Sequence, residues 1–359
     1  MTAAVTTDHT LIAEGLRKTY GDVSALDGFD LHVPPGVIHG LLGPNGAGKT
    51  TAVKALTTLI DVDGGSARVA GYDVRTDSGE VRRRIGLVGQ NAAVDEILGG
   101  RQNLVMFGRL YGLTKAEART RADLLLDTFG LTAAADRAVS TYSGGMRRRL
   151  DIAAGLIPSP AVLFLDEPTT GLDPRARNEV WSSIRETAER GTTVLLTTQY
   201  LDEADQLASE ISVMDHGTVI AGGTPETLKR RVGGDRVTVT VAQRGPLAEV
   251  ARRLSAAVGE PAVTDDDTRS VTVELPAGVA GLADVVRTLD DLGVTPEDLQ
   301  LRRPTLDEVF LTLTGAGPAT ATAGTATTAT ATATTATATA TTASATATAG
   351  TTTTTEVAR

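Results

Sequence analysis

The run Gly43-Pro44-Asn45-Gly46-Ala47-Gly48-Lys49-Thr50 carries the clearest chemistry in this chain. It holds glycine, glycine, lysine and a hydroxyl at the spacing G-x-x-x-x-G-K-[ST]. Glycines let a backbone bend until successive N–H groups face one centre, where they meet phosphate oxygens. A helix that starts there adds its positive dipole end. Lys49 supplies a point charge for the terminal phosphates, and the Thr50 hydroxyl suits a magnesium ion. The chemistry is the binding of a nucleoside triphosphate with Mg²⁺.

The second landmark is Leu163-Phe164-Leu165-Asp166-Glu167-Pro168. A carboxylate at the end of a buried strand suits a magnesium-holding role, and Asp166 is that residue. Glu167, one position on, is the candidate general base for an attacking water. A solvated turn also explains two adjacent acids, but seldom directly after an apolar strand in a chain with a phosphate loop.

These residues need a scaffold that ends strands and starts helices beside one another. Residues 37–42, 161–165 and 192–197 read as near-continuous apolar strands, separated by helical patterns. That pattern implies an α/β domain around a mostly parallel sheet covered on both faces, here a P-loop NTPase domain over residues 11–232. Between about 91 and 142 the strands stop, and 101–113 and 115–129 read as helices of an insertion. Past Gly233-Gly234 the period changes. Residues 236–241 and 270–275 alternate as strands, while 246–258, 279–292 and 304–314 read as helices, with Pro304 near the first turn of the last. They make a small α+β C-terminal domain over 235–314. Residues 316–359 form a tail that is almost pure alanine and threonine from Ala319 to Thr355. Without large apolar side chains to bury, such a tail is expected to be disordered.

Composition removes several classes of function. There is no cysteine, so disulfides, thiolate catalysis and cysteine-held metals are excluded. Four histidines (His9, His32, His39 and His216) lack the spacing of metal ligands. A net charge of −10 argues against a nucleic-acid partner. The triplets Arg82-Arg83-Arg84 and Arg147-Arg148-Arg149 read as solvated faces. The N-terminus lacks the basic start and apolar core of a secretory signal. No run approaches the ~18 apolar residues of a membrane-spanning helix. If something crosses a membrane here, a partner must supply the path.

Many phosphate-loop proteins share the first two motifs. Tyr142-Ser143-Gly144-Gly145-Met146, opening a helix at Arg147, separates this chain from most of them. A serine hydroxyl and bare N–H groups at a helix start form a second anion site. In combination, the motifs resemble those of ABC ATPases across residues 11 to about 230. The resemblance implies further roles. Gln90 links nucleotide and metal to the helical insertion, and Gly171-Leu172-Asp173 crosses a dimer interface. Tyr20 stacks on adenine. Gln199, after Thr197-Thr198, stands at the switch position that is usually histidine, and Met146 stands where glutamine is usual. It also implies a head-to-tail homodimer. ATP would lie between residues 43–51 of one chain, from Gly43 through Thr51, and Ser143, Gly144 and Gly145 of the other.

The segments Ala93-Val94-Asp95-Glu96-Ile97-Leu98 with Arg101-Gln102-Asn103-Leu104, residues 197–205 and residues 304–315 narrow the resemblance to the daunorubicin/doxorubicin-resistance type of exporter ATPase. That type implies a separate membrane permease, a peripheral position on the cytoplasmic face of the cell membrane, and efflux of a drug or antibiotic-like hydrophobic compound. A soluble ABC protein of translation or DNA repair is the rival class. It usually carries tandem cassettes or coiled-coil insertions, and no sustained heptads occur here. A sensor that reports drug load through 235–314 is a second rival.

In a chain with 3 % aromatic residues, an aromatic before the first strand is notable. Tyr20→Ala is expected to weaken nucleotide binding by about 1 kcal/mol, and Tyr20→Trp to restore it. Titration with trinitrophenyl-ATP checks this. Equal affinity of the alanine variant and wild type would remove the stacking role.

Overall fold

The computed structural model describes residues 9–231, 233–242, 247–276 and 279–313. The Ala/Thr segment at 316–359, expected to be disordered, lies outside the described residues.

The chain opens with strands β1 (Leu11–Tyr20) and β2 (Val23–Val33), which pair antiparallel. Strand β3 (Ile38–Leu42) then leads through the glycine-rich turn into helix α1 (Lys49–Leu56). Strands β4 (Gly64–Val69) and β5 (Tyr72–Asp73) join the opening hairpin as a four-stranded antiparallel sheet in the order β2-β1-β4-β5. Helix α2 (Ser78–Arg84) and strand β6 (Ile85–Val88) follow.

Strands cease over the next stretch. Helices α3 (Gly100–Leu110), α4 (Lys115–Thr128) and α5 (Gly144–Gly155) fill it. Helix α4 starts where the Thr114 hydroxyl accepts from Glu117 N and the Glu117 carboxylate accepts from Thr114 N, a reciprocal cap. The chain then alternates: β7 (Val162–Asp166), α6 (Pro174–Glu189), β8 (Thr193–Thr198), α7 (Leu201–Leu207), β9 (Glu210–Asp215), β10 (Thr218–Gly223) and α8 (Pro225–Arg230).

The central sheet has the order β10-β9-β3-β8-β7-β6. Its pairs β9-β3, β3-β8, β8-β7 and β7-β6 are parallel, and β10 closes one edge antiparallel. Successive side chains of a strand point to opposite faces, and β7 shows the result. Val162 and Phe164 enter the core shared with α1 and the antiparallel sheet. Leu163 and Leu165 enter the core shared with α5, α6 and the helical insertion. Burial on both sides is why the strand reads as unbroken apolar sequence. Helix α5 lies close against β6, since a Cβ on Gly86 would collide with the Gly155 carbonyl.

The C-terminal part runs β11 (Asp235–Val241), α9 (Leu247–Val258), β12 (Ala262–Asp265), β13 (Ser270–Leu275), α10 (Val279–Asp291), β14 (Pro296–Arg302) and α11 (Leu306–Leu313). Its antiparallel sheet has the order β12-β13-β11-β14. This is the split β-α-β-β-α-β arrangement. Strands β12 and β14 were absent from the sequence reading. Helix α11 begins later than expected: the Thr305 hydroxyl accepts from Glu308 N, so Pro304 precedes the cap. It returns to the larger domain, where Leu306 and Val309 are buried with Ala204, Ala208, Ile211 and Leu228.

Candidate functional site

The glycine-rich turn joins the buried end of β3 to α1. Gly46 and Gly48 have φ of 86° and 103°, a region open to glycine and costly for other residues. A Cβ on Gly43 would strike the Met214 carbonyl, and one on Gly48 the Ala25 carbonyl. Asn45 and Gly46 form the exposed crest, while Ala47 is buried and accepts from Gly217 N at 2.9 Å. Thr51 is half-buried on the first turn of α1.

Lys49 is 4 % exposed. Its ammonium donates to the carbonyls of Gly43 at 2.8 Å and Pro44 at 3.0 Å, and lies 3.8 Å from Glu167 Oε1. Burial pushes it below the usual lysine value, against the opposing charges of Glu167 and Asp166. The amine is thus folded back over its own loop, beside the acid pair.

Asp166 ends β7, and its Oδ2 accepts from the Thr50 hydroxyl at 3.1 Å. Its Oδ1 accepts from the Thr197 hydroxyl on β8 at 2.5 Å. Thr197 does more: Glu167 N donates to its hydroxyl at 3.2 Å and to its carbonyl at 3.1 Å. The sequence places Thr197 at the end of a strand and in the 197–205 run, with no role at the acid pair. Its signal was a polar residue at the C-terminal end of a buried parallel strand, where ligands of such sheets gather. Glu167 itself has φ of +48°. A non-glycine residue held there costs of order 1–3 kcal/mol.

Gln90 is exposed on the loop after β6. It lines a hollow of about 100 Å³ with Gly144, Arg148 and Glu167. Ser143 caps α5, its hydroxyl accepting from Met146 N at 3.2 Å. The neighbours of Gly144 and Gly145 are Leu172 and Ala176; a Cβ on Gly145 would lie 2.7 Å from that of Ala176. Asp173 caps α6 through Ala176 N at 2.9 Å. Tyr20 is 48 % exposed at the end of β1, with the Lys18 ammonium 5.6 Å from its ring centre. Gln199 is half-buried directly after β8.

The structure therefore brings Gly43, Lys49, Thr50, Asp166 and Glu167 into one contact set, with Gln90 and Gly144 around the hollow beside Glu167. Ser143 and Gly145 head α5, and Tyr20 stands on the antiparallel sheet. One expectation is corrected. The triplet Arg147-Arg148-Arg149 is not a solvated face: Arg147 and Arg149 are half-buried, and Arg148, turned inward against β6 and β7, is only 7 % exposed.

A parallel sheet with this loop is common to phosphate-loop NTPases. An antiparallel sheet on one flank, and on the other a helical insertion whose last helix opens on Ser-Gly-Gly, define the ATP-binding cassette, so the fold and site are those of an ABC ATPase. A family model of the ABC transporter matches residues 26–170. A second, for the C-terminal domain of DrrA1-3-like ATP-binding proteins, matches residues 223–314. The chain is 60 % identical over 304 residues to the daunorubicin resistance ATP-binding protein DrrA2 of Streptomyces coeruleorubidus, covering 84 % of this chain and 94 % of that one. It is 51 % identical over 304 residues to the daunorubicin/doxorubicin resistance ATP-binding protein DrrA of Streptomyces peucetius, covering 84 % and 91 %. Among solved structures, CbiO1 of Clostridium perfringens, part of the ABC transporter complex CbiONQ, superposes with a TM-score of 0.58. That match has 28 % identity over 63 % of this chain and 95 % of that one. The chain belongs to the DrrA-type ATP-binding proteins of ABC transporters. It binds ATP and couples its hydrolysis to transport. ABC ATPase subunits dimerise and pair with a transmembrane permease. Among the described residues, no helix is long and apolar enough to cross a membrane.

Thr197→Val removes the hydroxyl between Asp166 and the Glu167 backbone. Steady-state hydrolysis is expected to fall about tenfold, the equivalent of one ~1.4 kcal/mol contact. Nucleotide affinity is expected to stay within about twofold, and Thr197→Ser to restore turnover. Wild-type turnover in the valine variant would show that this hydroxyl does no positioning.

Proposed function

We propose that this chain is the ATP-binding subunit of an exporter for an anthracycline-like or similar hydrophobic drug, working as a homodimer beneath a separately encoded permease on the cytoplasmic face of the cell membrane. The observation that carries this reading is the match to daunorubicin- and doxorubicin-resistance proteins across both the cassette and the C-terminal domain.

In this reading the backbone from Gly43 to Gly48, with Thr51, holds the triphosphate. Tyr20 stacks on the base, and Lys49 leaves Glu167 for the γ-phosphate. Thr50 and Asp166 fit a magnesium ion, because a hydroxyl and a carboxylate oxygen already converge at 3.1 Å; Gln90 completes the protein donors. These are hard oxygen donors, and among the described residues no group of three or more acids or histidines is placed to hold a metal ion. Such a set suits an ion that takes further ligands from phosphate. The ion would neutralise phosphate charge.

Glu167, once released by Lys49, orients and deprotonates the attacking water. Ser143, Gly144 and Gly145 meet the ATP of the other chain, so ATP joins the dimer and hydrolysis opens it. Glu167→Gln is expected to keep ATP binding, cut hydrolysis about 10²-fold or more and accumulate an ATP-bound dimer. Vesicles carrying that variant with the permease should lose daunorubicin efflux that wild type supports. Wild-type vesicles that hydrolyse ATP without moving drug would sink the export reading.

Gln199 takes the switch position. Its amide donates to the γ-phosphate and accepts through its oxygen, but it does not become cationic. Gln199→Ala is expected to slow hydrolysis at least about tenfold. Gln199→His should stay active and gain a pH dependence between about 6 and 7.5. Normal turnover in the alanine variant would place the γ-phosphate sensor elsewhere.

A further inference from the structure

Arg148 lies in the second turn of α5, and its guanidinium is spent almost wholly on backbone. Nε donates to the Pro168 carbonyl at 2.8 Å, and Nη2 to the Asp166 carbonyl at 3.3 Å. Those carbonyls stand on either side of Glu167. Nη1 donates to the Gly89 carbonyl at 2.7 Å and to Asp151 Oδ2 at 3.2 Å. The other oxygen of Asp151, which is 3 % exposed, accepts from Ala93 N at 2.9 Å. Gly89 and Ala93 lie on either side of Gln90. One buried ion pair, both members on α5, thus grips the chain around Glu167 and around Gln90.

Stability alone does not call for this pair. Burial pushes Arg148 below and Asp151 above their usual values, each partly offset by the other. Buried ion pairs are often matched or bettered by apolar residues of similar volume. What the pair supplies is geometry. Glu167 sits at φ +48°. Such strain persists only where the surroundings over-determine the backbone, and Thr197 and Arg148 do so from two sides. Arg148 also lies only about one and a half turns, on the order of 7–8 Å, from the head of α5 at Ser143.

We propose that Arg148, with Asp151, is a positioning residue that fixes Glu167 and the Gln90 loop to α5 as one block. An ATP seated on the head of α5 by the partner chain then sets the hydrolytic geometry of this chain's own site. The second statement rests on the dimer reading above; the first does not. The two ATP sites are coupled through a single helix that faces one and holds the base of the other.

Three variants of the full-length chain test this. Arg148→Lys keeps the charge and loses the planar fork. Asp151→Asn removes the counter-charge. The double variant Arg148→Met/Asp151→Leu removes both ions at similar volume. Turnover against ATP concentration, affinity for a fluorescent ATP analogue and the thermal midpoint are measured on each.

The double variant is expected to keep its midpoint and its nucleotide affinity within about threefold, while kcat falls about 10²-fold, the scale of a ~1 Å misplacement. Its Hill coefficient should fall to about one. A stable double variant with wild-type kcat would overturn the proposal, leaving the pair as packing. If the double variant does not fold, Arg148→Lys decides, and wild-type kcat there overturns it equally. A lowered kcat with cooperativity intact overturns the link to the partner's ATP. Failure of the dimer reading shows separately, as absence of an ATP-bound dimer of Glu167→Gln in size-exclusion chromatography.

Discussion

The turn between β3 and α1 has no room for side chains at its two ends, and much of the molecule is arranged around that constraint. Backbone N–H groups can face a phosphate only where the chain bends sharply. At Gly43 the bend is pressed against the carbonyl of Met214 on β9, and at Gly48 against that of Ala25 on β2. The phosphate loop is therefore wedged between the parallel sheet and the antiparallel sheet. A shift of either sheet would move the loop, and Tyr20 belongs to the same hairpin as Ala25.

Opposite the loop, the acids are held by neighbours rather than by their own strand. Asp166 and Glu167 take their places from Thr197, one strand across. Behind them, Glu203 on α7 is buried and accepts from the Thr169 hydroxyl at 2.8 Å and the Trp181 indole at 3.1 Å. The segment after the acids is thereby tied to the helix after Gln199. Strand ends, the loop beyond Glu167 and the start of α7 form one hydrogen-bonded body.

The sequence was most legible where local chemistry and local structure coincide. Gly43 to Thr50 needs its glycines for its own bend, so the motif could be read without any partner. The run Val162 to Leu165 is apolar because both faces of β7 are covered, and that too is a local pattern. Arg148 was not legible in the same way. Three consecutive arginines look like a solvated face, and only the approach of α5 to β6 at Gly86 decides which of them turns inward. The spacing of Arg148 and Asp151, three apart on one helix face, was the available hint. Strand β14 was missed because its outward residues Glu297, Asp298, Gln300 and Arg302 dominate the run. Its apolar residues, Leu299 and Leu301, are only half-buried.

The return of α11 to the larger domain bears on the order in which the chain folds as it is synthesised. The apolar cluster around Ala204, Ala208 and Leu228 is completed by Leu306 and Val309, about a hundred residues later in the chain. Domains of a growing chain generally fold from the N-terminus as they emerge from the ribosome. Here the helix that follows Gln199 waits for its last neighbours until the whole C-terminal domain has been made. The nascent cassette therefore passes through a stage with its nucleotide loop assembled and the apolar flank of α7 still open to solvent.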